Sequence, residues 1–247
     1  MEHGRGELDL LTGVRTVRET GSTNADMLAL AAAGAEEGTW LRAERQVAGR
    51  GRQGRAWASP TGNFYGSTLV RLRPTDPAAS TLALVAAVAL DEATRIFLAG
   101  ALAAPTLKWP NDLLIDGAKL AGILLERAGG AVVVGIGVNL AFHPDIPDRP
   151  TTSLAAHGAA VAPDIFAETV AEAFSRWLMR WRGEGLGAVR QRWLDRAHPV
   201  GTAVTARLPD GSAVDGLFDG LDADGALTLR LAGGERRVIH AGDVFLL

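Results

Sequence analysis

Two dipeptides, Asp116-Gly117 and Gly129-Gly130, interrupt an apolar stretch and sharply restrict the folds open to this chain. Asp-Gly is a favoured centre for a two-residue hairpin, because both turn positions take positive φ and twist in the sense of the flanking strands. The pattern predicts short strands over 106–109 and 113–115, a return strand over 118–126, and a valine-rich buried strand over 131–140. Hairpin-linked strands run antiparallel, whereas parallel neighbours need a long crossover. Three such strands in succession therefore imply an α+β fold with a mixed or antiparallel sheet and packed helices, and exclude a βαβ repeat.

The flanking sequence supplies the helices. Ser22, Thr23 and Asn24 form a cap cluster before a helix-forming run that Gly34 should stop. Residues 39–44 and 65–73 read as strands, and Ser80 is expected to cap a helix over 81–99 ended by Gly100. Apolar residues at Phe166, Val170, Phe174, Trp177, Leu178 and Trp181 keep helical spacing over 164–182, and a second helix runs through Val189. The pattern changes at Pro199. From there Asp210-Gly211, Asp224-Gly225 and Gly233-Gly234 break the chain into short strands, which predicts a small barrel over 199–247 behind a main domain over 1–198.

Composition narrows the function classes. A net charge of −3 argues against a protein whose main business is wrapping nucleic acid. With no cysteine, disulfides, thiolate zinc sites and protein thioesters are excluded. His3, His143, His157, His198 and His240 lack metal-ligand spacing and read as loop or surface residues. No signal peptide and no run of ~18 apolar residues is present, so no membrane partner and a cytoplasmic location are expected. Of 25 cationic side chains, only Lys108 and Lys119 are lysine, and both fall in Lys108-WPNDLLIDGAKLAGILLE. Lysine is a compact point charge where arginine is a planar fork. The pair therefore points to a site needing an ammonium, although codon bias explains the same scarcity.

The segment Gly49-Arg50-Gly51-Arg52-Gln53-Gly54 matches the dinucleotide-binding pattern G-x-G-x-x-G in letters only. That motif must open a helix whose N-terminus holds the pyrophosphate, and here the chain continues into Arg55-AWASP. Backbone amides exposed at three glycines, interleaved with Arg50, Arg52 and Arg55, suit an anion instead. A solvated surface loop, or a nucleic-acid binder using this Arg/Gly loop, is the alternative.

Taken together, Gly21-STN, Gln46-VAGRGRQGRAWASPTGN, Lys108-WPNDLLIDGAKLAGILLE and Gly135-IGVNL resemble the motifs of bacterial biotin protein ligases, in that family's order. The resemblance implies a class II synthetase-like catalytic domain with a C-terminal SH3-like barrel. It implies activation of biotin by ATP to biotinyl-5′-adenylate, then transfer to one lysine of a biotin carboxyl carrier domain. Ser22, Thr23, Asn24 and Gln46 would meet the ureido ring of biotin, with Arg50, Gly51 and Arg52 closing over it. Gly122, Ile123 and Gly135 would line its channel, and Lys119 would stand between its carboxylate and the α-phosphate. Arg52, Arg55, Trp57, Asn111, Lys119 and Asn139 would serve ATP. The catalytic set would be Lys119, Arg52 and Asp112, with Asp112 also the carboxylate for Mg2+, directly or through water. Because the regulatory members carry a helix-turn-helix ahead of these motifs, no repressor function and no nucleic-acid partner are expected. A homodimer through sheet edges is left open.

The chemistry fits those residue types. A carboxylate and a triphosphate must meet, and an ammonium between them supplies roughly 4 kcal/mol at ~4 Å and an effective dielectric of ~20, before desolvation. The acceptor amine belongs to the partner, so no serine, cysteine or histidine nucleophile is needed. Two readings stand for Lys108, phosphate assistance or an ion pair near a strand end. Gln53 replaces a basic residue common in the family. Gly66, in a strand, implies a close backbone approach or extra ligand room. A lipoate ligase on a related fold is the alternative enzyme.

Overall fold

The computed structural model describes residues 13–100, 103–147 and 149–247; His3, read above as a loop or surface residue, lies outside them. The chain runs β1 (Val14–Thr20), α1 (Thr23–Ala32), β2 (Trp40–Gln46), β3 (Phe64–Arg71), α2 (Leu82–Phe97), β4 (Pro105–Lys108), β5 (Asp112–Ile115), β6 (Ala118–Ala128) and β7 (Ala131–Val138). It continues through α3 (Pro163–Glu184), α4 (Leu186–Leu194), β8 (Ala203–Arg207), β9 (Ala213–Leu221), β10 (Leu227–Arg230), β11 (Arg236–Ile239) and β12 (Asp243–Leu246).

Seven strands form a mixed sheet in the order β1-β2-β3-β7-β6-β5-β4, parallel only between β1 and β2. The hairpins fall where the turn dipeptides put them. Asp116 and Gly117 both have positive φ, at 51° and 78°, and join β5 to β6. Both faces of the sheet are covered. Met27 of α1 packs with Leu41, Leu69 and Val133 on one face, while α2 and α3 cover Val132, Val134 and Ile136 on the other. This alternation along β7 is the two-residue period of a strand, so Gly135 and Gly137 fall on the α1 face.

One expected cap holds in position and another is corrected. Ser22 occupies the N-cap of α1 without a side-chain cap bond, and its neighbours Thr23 and Asn24 turn to other partners. The first cap of α2 is Thr81 rather than Ser80, because a single 3-10 turn over Ala79–Thr81 precedes the helix. Gly66 makes room for an aromatic ring rather than a ligand: a Cβ there would come 2.4 Å from Phe64 Cζ. Strands β8 to β12 form a separate antiparallel sheet, ordered β11-β10-β9-β8-β12, with Gly211, Gly225 and Gly234 at positive φ in its turns.

Candidate active site

A single row of cross-strand partners runs across the α1 face of the large sheet. Tyr65 on β3 pairs with Gly137 on β7, Gly137 with Gly122 on β6, Gly122 with Asp112 on β5, and Asp112 with Lys108 on β4. Residues directly opposite in an antiparallel pair share a face. The row therefore has an aromatic residue at one end, two glycines as a floor, and a charged pair at the other. A cavity of about 720 Å³ opens over it. Every site residue expected from the sequence borders this cavity, from Ser22 to Asn139.

At one end the groups are polar and closely knit. Gln46 Oε1 accepts the Thr23 backbone N–H at 2.9 Å and lies 3.1 Å from Thr23 Oγ1, and Gln46 Nε2 donates to Ser59 Oγ at 3.0 Å. Asn24 donates to Glu126 Oε2 at 2.8 Å, and Ser67 Oγ donates to Asn24 Oδ1 at 2.6 Å. Asn24 needs Gly135 beneath it, since a Cβ there would sit 2.1 Å from Asn24 Oδ1. Arg50 is drawn to the same end, 3.9 Å from Glu126.

The glycine floor seats Trp57. Its ring lies where a Cβ on Gly137 would approach within 2.8 Å, and one on Gly122 within 3.3 Å. The indole Nε1–H is buried without a partner among the described residues. Lys119 Nζ stands 5.4 Å from the centre of this ring.

At the charged end, Asp112 is shared by two ammoniums. Lys119 Nζ lies 2.5 Å from Oδ1 and Lys108 Nζ 3.0 Å from Oδ2. Burial works to raise the Asp112 pKa, but the charges of Lys119 and Lys108 outweigh it and hold the carboxyl below its ordinary value. A bulge in the β5–β6 pairing between Leu113 and Leu114 sets Lys119 in place. Its main chain is tied to the segment after β7 by bonds with Pro150 O and the Thr152 N–H. Asn139 completes that tie by donating to Thr152 O at 3.0 Å.

Magnesium does not fit Asp112. Each of its oxygens already faces a lysine ammonium, and no cluster of three or more metal-ligating side chains occurs among the described residues. A cation there would be repelled by two neighbours of its own sign. Ile123, expected in the channel, does border the cavity while also belonging to the core. It pairs with Ile136, and its side chain packs in the core under α2 and α3. Of the two readings for Lys108, the structure places it in the ion pair.

Strand β12 walls the cavity, which no motif foretold. Arg52 Nη1 contacts Asn111 Oδ1, Gly242 O and Asp243 Oδ1 at 3.3, 3.2 and 3.1 Å. Arg55 reaches the other oxygen of Asp243 and also donates to Gln53 Oε1 at 2.5 Å. Gln53, at φ 57°, thus steadies the neighbouring arginine. Lys108 Nζ donates to Val244 O at 2.9 Å. No periodicity or motif signals such contacts, which join residues more than 130 positions apart.

The chemistry this arrangement offers is the meeting of two anions, with a polar pocket at one end, a shielded floor, and lysine and arginine donors at the other. Known proteins match it. Residues 17–142 match the model of the biotin/lipoate A/B protein ligase family, and residues 200–247 that of the biotin protein ligase C terminal domain. The chain is 42% identical to a biotin–[acetyl-CoA-carboxylase] ligase of Paracoccus denitrificans, covering 92% of this chain and 97% of that one. It is 40% identical to a protein of the same name from Mycobacterium tuberculosis, over 92% and 86%. The biotin protein ligase from Aquifex aeolicus, solved with biotin and ATP, superposes with a TM-score of 0.82 at 24% identity, over 95% and 99%. The chain belongs to the biotin/lipoate A/B protein ligase family.

Proposed function

We propose that this protein is a biotin–[acetyl-CoA-carboxylase] ligase. It forms biotinyl-5′-adenylate from biotin and ATP and transfers the biotinyl group to a lysine of a biotin carboxyl carrier domain. The observation that supports this most is the single cavity in which the polar cluster of Thr23, Asn24 and Gln46, the arginine loop and Lys119 converge. Residues 1–198 are taken as the catalytic domain, to which the large mixed sheet belongs, and residues 199–247 as the small C-terminal domain.

In the first step a biotin carboxylate oxygen attacks the α-phosphorus of ATP, a P–O bond forms, and pyrophosphate leaves. Lys119 is assigned to both anions, because an ammonium shared with one carboxylate keeps donors for another. Arg52 and Arg55 are assigned to the phosphates, and Asn111 positions Arg52 through its Oδ1. Arg50 and Gly51 are assigned to closure over biotin, and Trp57 to shielding the reacting atoms. Asn139 acts indirectly, by fixing the segment that holds Lys119. Any magnesium would come with the phosphates of ATP. In the second step the carrier amine attacks the acyl carbon and AMP leaves.

A lipoate ligase would form an acyl-adenylate too, but it has no ureido ring to satisfy. Ser22, Thr23 and Asn24 are buried polar residues at one end of the cavity and favour biotin, whose ureido N–H and carbonyl groups would need polar partners once desolvated. The test is pyrophosphate release from purified protein given ATP with either biotin or lipoate, followed by labelling of a carrier domain. Release with lipoate alone would overturn the assignment.

A further inference from the structure

Lys108 has no part in the steps above, yet it is four-fifths buried and occupies the end of the cross-strand row. Its ammonium makes two contacts, one to Asp112 Oδ2 and one to the main-chain carbonyl of Val244. Asp112 meanwhile gives its other oxygen to Lys119. Three formal charges thus lie together: two ammoniums and one carboxylate, with a net charge of +1. If Lys108 were neutral, Asp112 would have Lys119 as its only cationic partner in this cluster and the net charge would be zero. The positive charge of Lys119 would then be cancelled within the protein, although its N–H donors would remain.

We infer that Lys108 is a positioning residue. By holding half of Asp112, it keeps the cluster cationic and leaves Lys119 available to an anionic ligand. A purely structural lysine would need only its contact to Val244 or its ion pair. Here both are made by one atom, directly in register with the carboxylate that grips Lys119. A lysine suits this place better than arginine, since a point charge with three N–H donors serves two acceptors in a narrow gap without a planar fork. This rests on the ligase reading, in which the anion nearest Lys119 is the biotin carboxylate.

The test compares biotin with biotinol, the neutral alcohol of the same shape, by titration calorimetry. The proteins are wild type, Lys108→Met, and Lys108→Met combined with Asp112→Asn. Lys108→Met should weaken biotin binding by about ten-fold, the scale of one lost charge at partly screened distance, and leave biotinol unchanged. The double variant returns the net charge to +1 and should recover most of the lost biotin affinity, although the Val244 contact is absent in both variants. Equal weakening of both ligands by Lys108→Met would make the residue a structural clamp and overturn the inference. So would unchanged biotin affinity, or a double variant no better than the single one. Wild-type protein that binds neither ligand would instead overturn the ligase reading itself.

Discussion

The ring of Trp57 rests on Gly137, so close that a Cβ at that glycine would lie 2.8 Å from the indole. Trp57 belongs to the arginine loop and Gly137 to β7 near the middle of the sheet, so the contact fixes a loop against a strand paired on both sides. Overpacking a core in this way ordinarily costs about 1–3 kcal/mol. Here the loop can yield. Gly137→Ala is therefore expected to leave the thermal midpoint nearly unchanged while lowering catalytic efficiency toward ATP by about ten- to a hundred-fold through misplacement of the loop. Thermal melts and steady-state pyrophosphate release check the two halves separately.

Lys119→Arg conserves charge but not shape. The ammonium is wedged between Asp112 Oδ1 at 2.5 Å and the ring of Trp57, and a guanidinium is both wider and planar. Adenylation should fall by roughly 10²-fold or more, in line with the loss of a donor aimed at developing charge. Near-normal turnover by the variant would show that Lys119 is only a salt-bridge residue.

Asp243 grips Arg52 at Nη1 and Arg55 at Nη2, which leaves the remaining N–H donors of each fork for an anion. Asp243→Asn should free both guanidiniums to wander, raising KM for ATP about ten-fold while biotin affinity holds. A fall in KM would mean that the carboxylate competes with phosphate rather than orienting its ligands.

The half-buried His198 has its pKa lowered by burial first and by the charge of Lys108 second, and its Nε2 is buried without a partner among the described residues. A base with a depressed folded pKa is protonated more readily when the chain unfolds. Stability is therefore full above the ordinary histidine value of about 6.5 and declines as pH falls from there toward the folded value. Urea midpoints measured between pH 7.5 and 5.5 should drop. In His198→Gln most of that slope should vanish, and an unchanged slope would assign it to other groups.

What the sequence made legible was local. Asp116-Gly117 specified its hairpin because positive φ at two successive residues is a demand that few residues meet. Gly122 and Gly135 were expected to line the channel, but nothing in the sequence told that Trp57 and Asn24 are what approach them, or that Gly137 also carries Trp57. Ser80 misled because a 3-10 turn shifts the helix start by a residue or two without changing the apolar period. Ile123 was readable as a cavity residue but not as a core residue, since a motif letter says nothing of strand phase. Asp243 and Val244 were invisible for a different reason. Their contacts depend on how one sheet sits against another, and no short window of residues encodes that.

Strand β12 follows every other element described, yet it supplies the carboxylate and the carbonyl that hold Arg52, Arg55 and Lys108. During synthesis the large sheet can therefore assemble with its cavity still lacking a wall. Competence to make a reactive acyl-adenylate would arrive late, once the small sheet has docked. A partly made chain would be spared from carrying an intermediate that acylates whatever amine it meets.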